Sequence, residues 1–185
     1  MLIDVTLKVT PEMRNSAPEK NDKSLVGHLG THFDVMDKEF PLEYTKRNGI
    51  LFDVSKIRSR DIDLSDIDMK RVEKGQFVAF YTGYIDEVPY GTKDYFKAHP
   101  ELSPKLIDAL LKKEISIIGV DCSGIRRSKE HTPADKLCAD HNVFVVENLC
   151  GLGRLLSAGE NFIAHTYPIN HSGITGLPCR VIAEI

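Results

Sequence analysis

The alternation of short apolar segments with helix-starting sequences most constrains what the second half of this chain can fold into. Ser103-Pro104 and Thr132-Pro133 each suit the start of a helix, because serine and threonine cap helix N-termini and proline fits the first turn. The first of these helices places apolar residues at helical spacing, at Leu106, Ile107, Leu110 and Leu111. Apolar runs of strand length surround the two helices, at 115–120, 143–146, 162–169 and 179–185.

The first half is mostly β in pattern. Strand candidates lie at 2–9, 50–54 and 77–81. Strands that alternate with helices in one half and follow one another in the other half indicate a mixed sheet. We therefore predict one α/β (mixed) domain over residues 1–185.

Composition excludes several classes of function. A net charge of −3 gives no electrostatic reason for binding nucleic acid or an anionic membrane. No apolar run approaches the ~18 residues of a membrane span, and residues 1–6 do not resemble a signal peptide. The four cysteines form no C-x-x-C pair, which favours reduced thiols in a cytoplasmic protein.

Residues 28–34 read His-Leu-Gly-Thr-His-Phe-Asp and concentrate metal-binding side chains. Imidazole nitrogen and carboxylate oxygen together suit Zn²⁺, Mn²⁺ or Fe²⁺. In a strand, His28, His32 and Asp34 would share one face. A straight strand would still hold the two histidine Cα atoms about 13 Å apart, at roughly 3.3 Å per residue. We therefore predict a bent strand or loop, with the bend at Gly30; the alternative is a polar strand with two surface histidines.

Glu147 directly follows the apolar run 143–146. A carboxylate at the end of a buried strand is where α/β proteins place functional groups, although a solvated strand end has the same pattern. The order of the motifs resembles the cyclase family of metal-dependent hydrolases, which includes bacterial kynurenine formamidase and isatin hydrolase. The resemblance rests on the segments at 3–6, 28–34, 81–83, 119–121 and 145–149, and it covers nearly the whole chain.

The resemblance implies a swivelling β/β/α fold, a small-molecule substrate and a homodimer or homotetramer. It also implies one divalent metal ion, Zn or Mn, bound by His28, His32, Asp34 and Glu147. Such a metal would activate water for attack on an amide carbonyl.

Two positions depart from the family pattern. Lys38 and Asp135 stand where the family has histidines that bind a second metal or assist catalysis. Their loss predicts a mononuclear centre and weak or absent N-formylkynurenine hydrolysis. The opposite charges of Lys38 and Asp135 also suggest an ion pair across the site. Burial near a metal would favour the neutral form of Lys38, which could then act as an acid or base in catalysis. The alternatives are a solvated loop lysine and a helix-start carboxylate.

Three further features leave alternatives open. His131 either reaches the site and compensates for the lost histidines or is a surface histidine. The Arg126-Arg127 pair either binds a substrate carboxylate or is solvated. The stretch between Gly83 and Pro100 is either a wall or lid of a pocket or a surface connection.

The leading functional hypothesis is therefore a metal-dependent hydrolase of a small amide or cyclic amide. A non-catalytic binding or structural protein with the same fold is the second hypothesis. A metal-free acid/base enzyme that uses Lys38 with Asp34 or Glu147 is the third.

Overall fold

The computed structural model describes residues 1–16 and 27–185. Within them, eight strands are present: β1 (Leu2–Asp4), β2 (His32–Asp34), β3 (Lys46–Asp53), β4 (Phe77–Tyr81), β5 (Ile117–Val120), β6 (Phe144–Glu147), β7 (Asn161–Pro168) and β8 (Gly176–Glu184). The α-helices are α1 (Pro11–Ser16), α2 (Tyr84–Glu87), α3 (Lys93–Lys97), α4 (Pro104–Lys112), α5 (His131–Asp140) and α6 (Leu152–Ala158). Short 3₁₀ turns lie at Leu42–Thr45, Leu64–Asp66, Met69–Arg71 and Ser128–Glu130.

One mixed sheet organises these elements. Its strand order is β1-β8-β2-β6-β5-β4-β3-β7, and β7 also pairs with β8. Seven strands thus close into a barrel-like sheet, with β1 added beside β8. Strands β3, β4, β5 and β6 run parallel to their neighbours in that run, whereas β2, β7 and β8 pair antiparallel.

The two faces of the sheet bury two separate apolar cores. Alternate residues of one strand divide between them, as period-2 geometry requires: Val78 belongs to the outer core, and Phe77 belongs to the inner one. The outer core lies between the sheet and helix α4, which contributes Leu106 and Leu110. The inner core fills the barrel and draws side chains from all eight strands.

The predicted mixed α/β fold is confirmed. Ser103 caps α4 as expected, since its Oγ accepts a hydrogen bond from the Leu106 N–H at 3.1 Å. The predicted strand at 77–81 has the observed bounds, whereas the predicted strand 2–9 is shorter and ends at Asp4. Helix α5 begins at His131, ahead of Thr132-Pro133.

The four cysteines are free thiols, in agreement with the prediction. None of the helices in the described ranges has the length and apolar character needed to span a bilayer.

Candidate metal centre

Strand pairing places Glu147 beside the His-rich segment. Strand β2 lies antiparallel to β6, and His32 is the direct cross-strand partner of Glu147. Side chains of directly paired residues lie on the same face of a sheet. His32 Nε2 is accordingly 3.6 Å from Glu147 Oε2.

Gly30, in the left-handed conformation, turns the chain so that His28 also lies beside His32. Gly30 has φ of +74°, a conformation that glycine adopts without steric cost. The turn brings His28 Nδ1 to within 3.0 Å of His32 Nε2, although the two residues are four apart in sequence. The predicted bend at Gly30 is confirmed.

Three donors thus form what we call the strand cluster: His28, His32 and Asp34. His28 Nδ1 is 3.2 Å from Asp34 Oδ1, and His32 Nε2 is 3.8 Å from Asp34 Oδ2. Donors on a tetrahedral ion with bonds of about 2.1 Å are separated by roughly 3.4 Å. The spacing of the strand cluster therefore suits one divalent cation with a fourth position open.

Four donors form a second group, the helix cluster: Asp34, His131, Asp135 and Glu147. His131 and Asp135 are four residues apart on α5, so they lie on the same side of the helix. His131 Nε2 lies 3.2 Å from Asp135 Oδ2 and 3.5 Å from Glu147 Oε1. Asp34 belongs to both clusters. His131 thus reaches the site, and the surface alternative is wrong.

Both imidazoles of the strand cluster are oriented from outside. His32 Nδ1 lies 2.9 Å from the Gly30 carbonyl oxygen, which can only accept, so Nδ1 carries the proton and Nε2 is left with a lone pair. His28 Nε2 bonds to Thr175 Oγ1 at 2.9 Å, and a donating Nε2 leaves Nδ1 for a cation. Outer partners of this kind orient metal-binding histidines.

Buried carboxylates provide the test of whether a cation fits. Within the described ranges, both oxygens of Asp34, both oxygens of Asp135 and Glu147 Oε1 are buried and accept no hydrogen bond. Burial of a carboxylate without a donor or counter-charge is costly. A divalent cation supplies that charge, and the donor set of imidazoles and carboxylates is one that Zn²⁺ and Mn²⁺ accept.

The two clusters differ in protonation. Burial raises the pKa of Glu147, and nearby Asp34 and Asp135 raise it further. Burial and Asp34 likewise raise the pKa of Asp135. Burial acts to raise the pKa of Asp34 too, but His32 and His28 beside it hold that pKa below its ordinary value. Burial lowers the pKa of His32, although the neighbouring Asp34 carboxylate acts in the opposite direction.

The predicted Lys38–Asp135 ion pair is wrong. Lys38 Nζ pairs at the surface with Asp140 at 3.2 Å and with Asp37 at 3.7 Å, and its side chain is 36% exposed. The hydrogen bond to Asp140 raises the pKa of Lys38, so the expected neutral lysine is also wrong. Asp135 is buried inside the site and has His131 beside it instead.

The arginine pair is used within the protein. Arg126 Nη1 donates to Asp61 at 2.7 Å and its guanidinium also contacts Glu130. Arg127 donates to Glu101. Both arginines therefore form ion pairs within the protein, and neither of the two predicted roles, substrate binding or full solvation, is observed.

Two short sequence motifs, at 81–83 and 119–121, contact each other in the folded protein. Asp121 accepts hydrogen bonds from the Thr82 and Gly83 N–H groups and from Thr82 Oγ1. Burial raises the pKa of Asp121 to about 6. These contacts join the segments that follow β4 and β5.

Two site residues escaped sequence reasoning. Thr175 lies 147 residues from His28, and no local pattern marks it. A Cβ on Gly176 would lie 2.7 Å from the His28 ring, so the imidazole occupies the space of the missing side chain. Only the pairing of β2 with β8, in which Asp34 opposes Gly176, brings this segment to the site.

Fold and site define a barrel-like α/β protein with a histidine–carboxylate centre on the outer face of its sheet. Residues 3–126 match the family model Cyclase. The chain belongs to the cyclase family. A comparison with curated protein sequences found no significant match.

Solved structures share the fold. A potential metal-dependent hydrolase with cyclase activity is 23% identical, with a TM-score of 0.75, and the match covers 99% of this chain and 96% of the other. A predicted metal-dependent hydrolase from Bacillus stearothermophilus is 22% identical, with a TM-score of 0.73 and coverage of 99% and 97%. Isatin hydrolase A from Ralstonia solanacearum is 17% identical, with a TM-score of 0.78 and coverage of 99% and 91%.

Proposed function

We propose that this protein is a metal-dependent hydrolase that acts on a small amide or cyclic amide. The observation that carries the proposal is the group of buried carboxylate oxygens without hydrogen bonds, packed against imidazole nitrogens whose outer partners leave them free to bind a cation. The names of the structural relatives, metal-dependent hydrolase and isatin hydrolase, support the reaction class.

His28, His32 and Asp34 would hold the cation, and Glu147 lies beside His32 on the neighbouring strand. When bound, a divalent cation supplies Lewis acidity, which activates water and polarises a carbonyl. The sequence-based prediction is one Zn or Mn ion per chain, bound by these four residues.

His131 is the residue placed to move the proton. Its Nε2 faces Asp135 and Glu147, and its side chain is 31% exposed, so it lies between the buried carboxylates and solvent. In hydrolysis, the water oxygen forms a bond to the carbonyl carbon, the C–N bond breaks, and the amine leaves with a proton. His131 can accept the proton of the attacking water and return it to the leaving nitrogen.

The helix cluster favours a variant of this proposal with a second cation. Its four donors lie within 4.8 Å of one another and share Asp34 with the strand cluster. Equilibrium dialysis against Zn²⁺ and against Mn²⁺ decides the count. One equivalent at saturation supports the mononuclear prediction, and two equivalents show that the helix cluster is filled as well.

The test of function is an assay of the purified protein against formamides, linear amides and cyclic amides, before and after removal of metal by a chelator. We expect hydrolysis that is lost on chelation and restored by Zn²⁺ or Mn²⁺. His131→Gln should retain the cation and lose kcat by about 10²–10⁴-fold, the usual contribution of general acid–base catalysis. N-formylkynurenine should be hydrolysed weakly or not at all.

Two other hypotheses remain testable in the same assay. Metal binding without turnover of any substrate would favour the non-catalytic binding protein. Activity that survives chelation would favour a metal-free enzyme, although the surface position of Lys38 removes the acid/base residue on which that hypothesis relied. The predicted homodimer or homotetramer is measured by light scattering during size-exclusion chromatography.

A further inference from the structure

The backbone of Gly30 is held by two groups that belong to neither ligand cluster. Its N–H donates to the Tyr90 hydroxyl at 2.8 Å. Its carbonyl oxygen accepts from Asn148 Nδ2 at 2.9 Å. The same oxygen is the partner of His32 Nδ1, so the position of this carbonyl sets the direction of the His32 ring.

A buried tyrosine fixes the amide that holds the carbonyl. The Tyr95 hydroxyl donates to Asn148 Oδ1 at 2.8 Å. Because the Gly30 carbonyl can only accept, Asn148 must present its Nδ2 there and its Oδ1 to Tyr95. Asn148 and Tyr95 are almost completely buried, so water does not replace these contacts.

Both tyrosines come from the stretch between Gly83 and Pro100. The Tyr90 and Tyr95 rings pack together, with centroids 5.3 Å apart. Tyr95 lies on α3, and its ring also packs against Tyr84 of α2. The stretch therefore lies against the turn that carries His28 and His32, and the sequence-based alternative of a plain surface connection does not account for these contacts.

We propose that Tyr95, through Asn148, and Tyr90 are positioning residues that hold the backbone of Gly30 on both sides of its Cα and thereby fix His32 in the tautomer protonated at Nδ1, with Nε2 turned to the cation. This inference rests on the proposed function for its cation. The tautomer itself is a property of the protein without metal. Loss of one hydroxyl removes one support of this backbone segment and leaves every ligand in place.

The experiment compares Tyr95→Phe and Tyr90→Phe with the matched control Tyr84→Phe. The Tyr84 hydroxyl donates to the Asp94 carbonyl at 2.7 Å, so the control removes a tyrosine hydroxyl from the same stretch without touching Gly30. Zn²⁺ affinity is measured by competition with a chelator. We expect Tyr95→Phe to weaken Zn²⁺ binding by about 10–100-fold, the usual effect of outer-partner loss, Tyr90→Phe to weaken it by about 10-fold, and Tyr84→Phe to leave it unchanged.

A second readout separates positioning from folding. Long-range ¹H–¹⁵N spectra of the metal-free protein report which His32 nitrogen carries the proton. We expect the Nδ1–H form in the wild type and in Tyr84→Phe, and a mixture of tautomers in Tyr95→Phe. If Tyr95→Phe does not fold, Tyr90→Phe alone decides through both readouts, since Tyr90 is only half-buried.

Wild-type Zn²⁺ affinity and an unmixed Nδ1–H tautomer in both test variants would overturn the proposal. A wild type that binds no Zn²⁺ would instead overturn the proposed function. The tautomer comparison would still decide the positioning role in that case, so the two failures are distinguishable.

Discussion

The strand cluster and the helix cluster share Asp34 but are prepared for a cation in different ways. In the strand cluster, two imidazoles are oriented by Thr175 and by the Gly30 carbonyl. In the helix cluster, Asp135 and Glu147 are buried with raised pKa values, and His131 faces them from α5. The first cluster is organised before any cation binds. The buried carboxylates of the helix cluster are stabilised only when a proton or a cation binds to them.

The largest expected effect follows from loss of a ligand in the organised cluster. His32→Ala removes a buried donor that touches His28 and lies near Asp34 and Glu147. We expect Zn²⁺ affinity to fall by more than the ~100-fold that outer partners can contribute. Isothermal titration of the metal-free protein measures it.

His165→Ala is the matched control, because His165 pairs with Glu184 on β8 and belongs to neither cluster. Equal Zn²⁺ affinity in His32→Ala and His165→Ala would show that the strand cluster is not the binding site.

A pair of carboxylate variants tests the difference in protonation. In chelator, Asp135→Asn should raise the free energy of unfolding by about 1–3 kcal/mol, because it removes a buried carboxylate that accepts no hydrogen bond. Asp34→Asn should give a smaller gain, because the pKa of Asp34 lies below its ordinary value whereas that of Asp135 lies above it. Urea titrations measure both.

The pH dependence of stability tests independently whether the pKa of Asp135 is raised. The folded-state pKa of Asp135 is raised, so its contribution to stability is present at low pH and is lost as pH rises through that pKa. The stabilising effect of Asp135→Asn should therefore be greater at pH 8 than at pH 5. A gain that is larger at pH 5 would contradict the raised pKa.

A histidine outside both clusters, His99, also makes the stability of the protein depend on pH in the acid range. Burial lowers the pKa of His99 from 6.5 to about 4, so the unfolded state binds more protons between those values. Stability from this residue is present above pH 6.5 and is lost as pH falls toward 4. Between pH 7 and pH 5 the loss should be about 2 kcal/mol.

His99→Asn keeps a donor near the Pro100 carbonyl that His99 Nδ1 contacts at 2.9 Å. Urea titrations at both pH values should show a smaller loss for this variant than for the wild type. An equal loss would mean that His99 is not protonated in this range on unfolding.

The smallest expected effect concerns the space around His28. Gly176→Ala would place a Cβ about 2.7 Å from the His28 ring, so the imidazole must shift. We expect Zn²⁺ affinity to fall by about 10-fold, as for the loss of an outer partner. An affinity equal to that of the wild type in a chelator competition would mean that His28 does not need its present position.

The sequence anticipated the local half of this site. His28, His32 and Asp34 share one short segment, and the bend at Gly30 followed from the reach of two imidazoles. The fold class followed from strand and helix patterns that the structure bears out.

The other half depends on contacts that no local pattern encodes. The pairing of β2 with β8 brings Gly176 opposite Asp34, and the packing of α5 against β6 brings His131 next to Glu147. Analogy with a family position predicts Lys38 inside the site. In this chain, Lys38 pairs instead with a nearby surface carboxylate, Asp140. The family has a histidine at this position, which can bind a cation, whereas the positive charge of lysine gives its side chain no reason to face one.

The central claim is that the two clusters form a cation site, and metal content tests it most directly. The protein is purified in chelator-free buffer, dialysed against Zn²⁺ or Mn²⁺, and analysed for bound metal beside His32→Ala. The account predicts at least one equivalent of Zn or Mn in the wild type and a loss of that metal in His32→Ala. A wild type that retains no metal after dialysis, or a His32→Ala variant that retains all of it, would contradict the account.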